Sequence, residues 1–178
     1  MANECEFEMT AVSKSRGALE RLVRIMNYKD PEYFIYRVFD ATLNGDIEDT
    51  EDGFYIARID GDVAWSCEKW FSSEERPDSV HEATGAHYIT LDLLCQRLGL
   101  GVEVYGQEPG MGFQEYHRCT HAGEVSSDCA DWSEEWCDDE GNELSEPIEK
   151  GGLDGYGEES SPEEIYGLYE PSEVAIAC

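Results

Sequence analysis

Apolar and acidic side chains alternate strictly near the start of the chain, between residues 4 and 12. One face carries Cys5, Phe7, Met9 and Ala11, and the other carries Glu4, Glu6, Glu8 and Thr10. A period of two residues is typical of a strand with one buried face. The pattern therefore predicts a half-buried strand over 4–12.

Two later segments show the period of an amphipathic helix instead. Leu19, Leu22, Val23 and Met26 fall at i, i+3, i+4 and i+7, and Ser13 or Ser15 can cap the helix that they define. Leu91, Leu94, Cys95 and Leu98 repeat the spacing, with Gly99 placed as a C-terminal stop. We predict helices near 15–27 and 88–98, both on one face of a sheet.

The segment between the helices contains two β-prone runs, Phe54 to Ile59 and Asp62 to Cys67, joined by Asp60-Gly61. Asp-Gly favours a type I′ turn, which needs positive φ at both central residues, so a β-hairpin is predicted here. Further strands are predicted from Val102 and over 113–119. Residues 29–53 are interpreted as an insertion.

This order of elements, β-α-(insert)-β-β-α-β-β, predicts an α+β fold of the ferredoxin-like split βαβ type, with an antiparallel sheet and two helices on one face. The composition changes near residue 126, where carboxylates become dense. We therefore expect a ferredoxin-like domain at 1–125, with its insertion at 29–53, and an acidic, aromatic-containing extension at 126–178.

Charge is the strongest compositional feature. The 178 residues carry 41 acidic and 12 basic side chains, a net charge of −29. Residues 101–178 hold 21 of the acids and two of the bases. Such a field disfavours direct binding to nucleic acid or to an anionic membrane and attracts a basic partner. A solvating acidic surface, or a halophilic source, is the alternative, although uniform decoration does not predict the C-terminal bias.

The location expected from the sequence is the cytoplasm of a bacterial host. No stretch approaches the roughly 20 apolar residues that span a membrane, and the N-terminus lacks the basic and apolar regions of a signal peptide. The seven cysteines are an odd number and widely spread, which is typical of reduced thiols.

Part of the chain resembles a known family. The segments are Leu100-Gly101-Val102-Glu103-Val104-Tyr105, Glu108-Pro109-Gly110-Met111-Gly112-Phe113, Glu115-Tyr116, Ala64-Trp65-Ser66 and Met1-Ala2-Asn3. They are similar to motifs of the YubB ferredoxin-like domain family. That resemblance implies a ferredoxin-like fold and an origin on a plasmid, phage or other mobile element, with no catalytic residue to carry over. The chain departs from the family at 29–53, where a tryptophan-rich motif is usual, and in its acidic extension.

Metal-capable residues are present without a convincing spacing. His117, Cys119 and His121 share one strand face, and Cys129 and Cys137 follow, but positions i to i+4 of a strand span roughly 13 Å. We predict ordinary strand residues and no cofactor, with a metal at these positions left open. No phosphate-binding loop, nucleophile elbow or HExxH motif occurs, so we predict that the protein is not an enzyme.

The remaining hypothesis is a non-enzymatic inhibitor from a mobile element. It would mimic nucleic acid and bind a basic, nucleic-acid-handling host defence protein, such as a CRISPR effector or a restriction enzyme. The expected partner-binding residues are Glu103, Glu115, Asp131, Trp132, Glu134, Glu135, Trp136, Asp138, Asp139 and Glu140. Two alternatives stay open: an acidic chaperone or assembly module for a basic protein of the same element, and a small metal-dependent enzyme. The aromatic residues could also simply pack the extension onto the sheet.

Overall fold

Strands dominate the computed structural model, which describes residues 3–71, 79–137, 140, 142–157 and 160–169. About 45% of the described residues are in strands and 18% are in helices. The strands are β1 (Glu4–Ser13), β2 (Tyr33–Phe34), β3 (Val38–Leu43), β4 (Glu48–Asp49), β5 (Tyr55–Ala64), β6 (His87–Tyr88), β7 (Gly101–Glu108), β8 (Phe113–Cys119), β9 (Val125–Cys137) and β10 (Glu143–Gly151). The helices are α1 (Arg16–Met26), α2 (Leu91–Leu98) and α3 (Pro162–Gly167), with a 3₁₀ turn at Cys67–Trp70.

Seven strands form one curled antiparallel sheet in the order β10-β9-β8-β7-β1-β5-β3, and β4 adds to β5. β1 is an interior strand that pairs with β5 on one side and β7 on the other. β2 and β6 form a separate parallel pair. The predicted N-terminal strand is therefore confirmed as the strand on which the sheet is built.

Helices α1 and α2 cover one face of the sheet, as predicted. Their apolar residues share a single core with the odd-numbered side chains of β1. Ser15 caps α1 by accepting a hydrogen bond from the backbone N–H of Ala18, and Gly99 ends α2 in the left-handed conformation at φ 62°. The helix pattern and its end signals were therefore sufficient to predict both helices.

The opposite face of the sheet is partly covered by helix α3 and the residues next to it. Helix α3 begins at a capping box formed by Ser161 and Glu164. Its Ile165, with Leu168 just beyond it, packs on Val12 and Ile56 to form a second apolar cluster. Part of the C-terminal region is thus folded onto the sheet.

The ferredoxin-like fold predicted from the order of elements is wrong. The sheet contains four strands that the prediction did not count: β3 and β4 from the supposed insertion, and β9 and β10 from the acidic extension. β9 pairs with β8 from Val125 to Asp131. Backbone hydrogen bonding is indifferent to side-chain charge. A strand exposed on both faces also loses the apolar alternation that a sequence pattern can detect.

The predicted hairpin at Asp60-Gly61 is also wrong, because β5 runs straight through this dipeptide. Gly61 is needed for close approach rather than for a turn. A Cβ atom at this position would lie 2.0 Å from the backbone oxygen of Asp40 and 2.9 Å from the ring of Phe7. The register between β3 and β5 shifts at this point, between Val38 and Asp40. A glycine within a strand commonly marks such an irregularity.

Across the described residues, no helix is both long enough and apolar enough to span a membrane. The cysteines in this part of the chain are free thiols. Cys5, Cys67, Cys95 and Cys119 are buried, and Cys129 and Cys137 are exposed.

We expect Gly61→Ala to lower the free energy of unfolding by about 1–3 kcal/mol, the usual cost of forcing an extra methyl group into a packed site. Urea unfolding followed by circular dichroism measures this change. Gly17→Ala is the matched control, because its new methyl group has only the Ser15 hydroxyl nearby, at 3.8 Å, and lies in helix α1. The control should be neutral or stabilising. A neutral Gly61→Ala would contradict the close approach of β3 and β5.

Candidate functional site

Carboxylates line the face of strands β1, β5 and β3 that points away from helices α1 and α2. We call this set the acidic ladder; its members are Glu4, Glu6, Glu8, Asp40, Asp60 and Asp62. The arrangement follows from the alternation of successive side chains between the two faces of a strand. The odd-numbered side chains of β1 enter the core, as do Ala57, Ile59 and Val63 of β5. The even-numbered acids of both strands therefore share the other face.

The strand register sets like charges directly opposite one another. Glu6 lies opposite Asp62, and Glu8 lies opposite Asp60. Asp62 has Asp40 on its other side, across β3. Opposed like charges destabilise a sheet by roughly 0.2–1 kcal/mol for each pair. The fold therefore keeps a concentrated negative surface at a cost to its own stability.

The ladder finds little compensation within the protein. None of the ion pairs formed among the described residues includes a ladder carboxylate. Gln107 donates a hydrogen bond to Glu6 at 3.3 Å, and Thr42 donates one to Asp40 at 3.3 Å. Partial burial, together with the charges of Glu6, Glu4 and Asp40, raises the pKa of Asp62. The negative charge of the ladder would therefore favour the binding of a cationic group.

A groove of about 420 Å³ runs between the ladder and the aromatic side chain of Tyr156. Tyr156 packs edge-on against Tyr105, with ring centroids 5.3 Å apart, and Tyr105 in turn packs against Tyr116 at 4.7 Å. Burial raises the pKa of Tyr156, which stays a neutral phenol at physiological pH. Carboxylates beside an aromatic ring suit a guanidinium or ammonium group, which gains both charge pairing and a cation–π contact.

Two of the predicted partner-binding residues lie in the interior. Glu103 is 2% exposed and accepts hydrogen bonds from the hydroxyls of Tyr116 and Ser160, at 3.1 and 2.8 Å. Glu115 is 3% exposed and accepts a hydrogen bond from the hydroxyl of Ser66 at 2.6 Å. The expectation that these carboxylates line an exposed surface is wrong. Strand parity alone did not show that the β7–β8 region is covered on both faces.

The predicted residues of β9 divide between surface and interior. Asp131, Glu134 and Trp136 are exposed, Trp136 by 52%, whereas Glu135 forms an ion pair with Lys150 at 2.6 Å. Trp132 is only 3% exposed; it is buried within the fold, so it is not an anchor available to a partner. Glu140 is exposed, and Asp138 and Asp139 lie outside the described residues. Glu134 stands opposite Glu149, so the β9–β10 hairpin is a second acidic surface.

The five residues whose metal binding was left open do not come together. His117 contacts Glu115 and Ser127, whereas His121 contacts the backbone oxygen of Leu168 and stacks on Tyr169. Cys119 is buried beside Cys95. Cys129 and Cys137 are exposed on β9.

Sequence analysis missed the ladder although its signal was present. The spacing Glu4-x-Glu6-x-Glu8 was visible on β1, but Asp60 was assigned to a turn and Asp62 to a separate strand after it. Once Gly61 is placed within a strand, the two aspartates fall on the same face. The missing information was the register between β1 and β5, which is a long-range property.

We expect Asp62→Asn to raise the free energy of unfolding at pH 7 by up to about 1 kcal/mol. The substitution removes one negative charge and with it the repulsion from both Glu6 and Asp40. The pKa of Asp62 is raised in the folded state above its ordinary value of 3.8, so the folded state binds the proton more tightly. The penalty is fully present above the folded pKa, shrinks as the pH falls through the folded pKa, and is absent below the unfolded value. Urea unfolding between pH 7 and pH 3 should show the advantage of the variant shrinking.

Asp46→Asn is the control, an exposed aspartate outside the ladder. It should change stability by less than about 0.5 kcal/mol, as ordinary surface substitutions do. If Asp62→Asn instead destabilises the protein at pH 7, the ladder carboxylates do not repel one another as described.

Comparison of the chain with protein-family models, with curated proteins and with solved structures finds no significant match. Membership of the YubB family therefore stays a hypothesis based on the short motifs given above.

Proposed function

We propose that this protein is a non-enzymatic acidic binding protein, and that the acidic ladder receives the cationic surface of a basic, nucleic-acid-handling partner. The observation that carries the proposal is the opposition of like charges in Glu6–Asp62–Asp40 and Glu8–Asp60, held on a rigid sheet. A partner that supplies Lys or Arg would relieve this repulsion on binding. The repulsion that destabilises the free protein would be relieved in the complex, and this relief would contribute to the free energy of binding.

The spacing of the ladder supports nucleic-acid mimicry. Acids at alternate positions of β1 lie about 6.7 Å apart, and neighbouring strands are roughly 4.8 Å apart. Successive phosphates along one strand of DNA rise by about 3.4 Å, so the alternate acids approximate every second phosphate. A groove that binds a phosphate backbone through Lys and Arg could accept this lattice instead.

The sheet also provides preorganisation. The ladder strands are fixed from behind by the buried core. β1 and β5 are paired on both sides, and β3 is an edge strand that pairs with β5. Charges held in place lose less conformational entropy on binding than charges on a flexible segment. We therefore place the principal contact on the ladder. The β9–β10 hairpin, where sequence analysis placed the site, is a second acidic surface to be compared with it.

In its most specific form, the proposal states that the partner is a host defence nuclease and that the protein comes from a mobile element. The decisive assay measures displacement of labelled duplex DNA from purified CRISPR effectors and restriction enzymes. Inhibition by the protein at low salt supports mimicry. Binding that leaves the DNA in place on the nuclease would favour the chaperone or assembly function.

Three matched charge-reversal variants test where the contact lies. The ladder variant combines Glu6→Lys, Glu8→Lys and Asp40→Lys. The hairpin variant combines Glu134→Lys, Glu143→Lys and Glu149→Lys, and the control variant combines Asp46→Lys, Glu51→Lys and Asp52→Lys. All nine positions are exposed, and each variant changes the net charge from −29 to −23. Long-range attraction is therefore weakened equally, and only local contact distinguishes the three.

We expect the ladder variant to bind an arginine-rich peptide, and any nuclease identified above, about tenfold more weakly than the other two, or ~1.4 kcal/mol. Fluorescence anisotropy measures these affinities. Equal losses in all three variants would mean that the acidity acts only as a diffuse field. A greater loss in the hairpin variant would move the contact to β9 and β10.

The same complexes should be strongly sensitive to salt. The Debye length falls from about 10 Å at 0.1 M to about 3 Å at 1 M, so association driven by the ladder should slow and weaken across this range. Stopped-flow association rates at several salt concentrations measure the effect. A complex whose association rate is independent of salt would contradict a charge-driven contact.

A further inference from the structure

Three buried side chains meet on the helix-covered side of the sheet, away from the acidic ladder, and a fourth, His117, adjoins them through its contact with Glu115. Cys5 comes from β1, Cys67 from the 3₁₀ turn, and Glu115 and His117 from β8. Each is between 0% and 3% exposed. The two sulfur atoms and a Glu115 carboxylate oxygen all lie within 4.8 Å of one another, and His117 Nε2 is 2.9 Å from Glu115 Oε2.

We propose that Cys5, Cys67, Glu115 and His117 bind one thiophilic divalent cation, for which Zn²⁺ is the natural candidate. Two sulfurs, one carboxylate oxygen and one imidazole nitrogen are four donors of the kinds that Zn²⁺ takes in closed, tetrahedral sites. With bonds of about 2.0–2.3 Å, the donors of such a site are roughly 3.3–3.8 Å apart. Cys5 Sγ and Glu115 Oε1 are already 3.6 Å apart.

The surroundings orient these donors as the surroundings of a metal site would. His117 Nδ1 is 2.8 Å from the hydroxyl of Ser127, which leaves Nε2 directed at the cluster. Ser66 donates a hydrogen bond to Glu115 Oε2 at 2.6 Å, and the backbone N–H of Cys67 donates one to Oε1 at 2.5 Å. Partners of this kind fix the direction and protonation of metal ligands.

Gly106 leaves the space that the cluster occupies. A Cβ atom there would lie 2.8 Å from Glu115 Oε1 and 3.1 Å from Cys67 Sγ. Gly106 stands directly opposite Glu115 in the β7–β8 register, so a larger residue would push the carboxylate and the thiol apart. A glycine at this position thus leaves room for the donor set.

Binding leaves the net charge of the site unchanged, because the charge of the divalent ion replaces that of the two thiol protons. The two thiols release their protons to solvent as the Zn–S bonds form, His117 coordinates as neutral imidazole, and Glu115 coordinates as a carboxylate. The ion would join β1, the 3₁₀ turn and β8, three segments far apart in sequence. The chemistry is independent of the acidic ladder, so the two proposals succeed or fail separately.

A second pair of buried thiols provides the control. Cys95 and Cys119 lie beside each other in the same core, and both are fully buried. Among the described residues, only Cys5, Cys67 and Glu115 form a group of three or more such donors. Replacing Cys95 therefore tests whether the loss of any buried thiol weakens metal binding.

The experiment is an anaerobic titration of the reduced, metal-free full chain with Co²⁺, followed by displacement with Zn²⁺. We expect one equivalent to bind, with the visible absorption of tetrahedral Co²⁺ and a near-ultraviolet thiolate-to-cobalt charge-transfer band. Cys5→Ser and Cys67→Ser should each weaken binding more than tenfold, and Ser127→Ala about 10–100-fold. Cys95→Ser should bind as the wild type does.

The wild-type titration keeps the proposal falsifiable even where a cysteine variant fails to fold. Weak uptake without a charge-transfer band would mean binding by surface carboxylates and would overturn the proposal, as would no uptake. Loss of binding in folded Cys95→Ser, with Cys5→Ser unaffected, would overturn it too. An increase in the melting temperature of the wild type with Zn²⁺, absent in His117→Gln, would support it.

Discussion

Burial of the odd-numbered side chains of β1 beneath α1 and α2 is the constraint on which the rest of this structure depends. β1 lies between β5 and β7, so its orientation fixes the faces of both strands through antiparallel pairing. Once Cys5, Phe7 and Met9 enter the core, the glutamates between them must face the other way. A shift of one residue would bury three carboxylates, which makes the register very strongly determined.

The same constraint separates two kinds of chemistry. Acids on the outer face repel one another in the ladder and are available to a partner. Residues on the inner face include the compact polar group around Glu115. Burial would by itself raise the pKa of Glu115, but hydrogen bonds from His117 and Ser66 outweigh that effect and hold the pKa at about 2. One carboxylate is thus stabilised as an anion inside the protein, whereas Asp62 is destabilised as an anion at its surface.

The described part of the C-terminal region determines how much of the outer face of β7 and β8 is exposed. Helix α3 and the segment around Tyr156 cover β7 and β8, where Tyr105, Tyr116 and Glu103 are partly or fully buried. Neither of these two segments covers the ladder, and Tyr156 gives its groove an aromatic wall. The C-terminal region is therefore both a lid over one part of the sheet and a boundary of the candidate site.

Local signals in the sequence determined those strands and helices that one amphipathic pattern is enough to define. The alternation of β1, the helical spacing in α1 and α2, and the end signals Ser15 and Gly99 all act within a few residues, and each was confirmed. The overall acidity was likewise a property of composition. These features need no knowledge of which segments become neighbours in the fold.

Only the tertiary structure decided the sheet and the candidate sites. Gly61 has the same local sequence in a turn or in a strand, and the approach of β3 selects the strand. β9 became part of the sheet because β8 offered unpaired backbone groups, whereas its own side chains gave no strand signal. The ladder, and the meeting of Cys5 and Cys67 with Glu115, join residues as many as 110 positions apart. Their proximity depends on strand register, which no local pattern specifies.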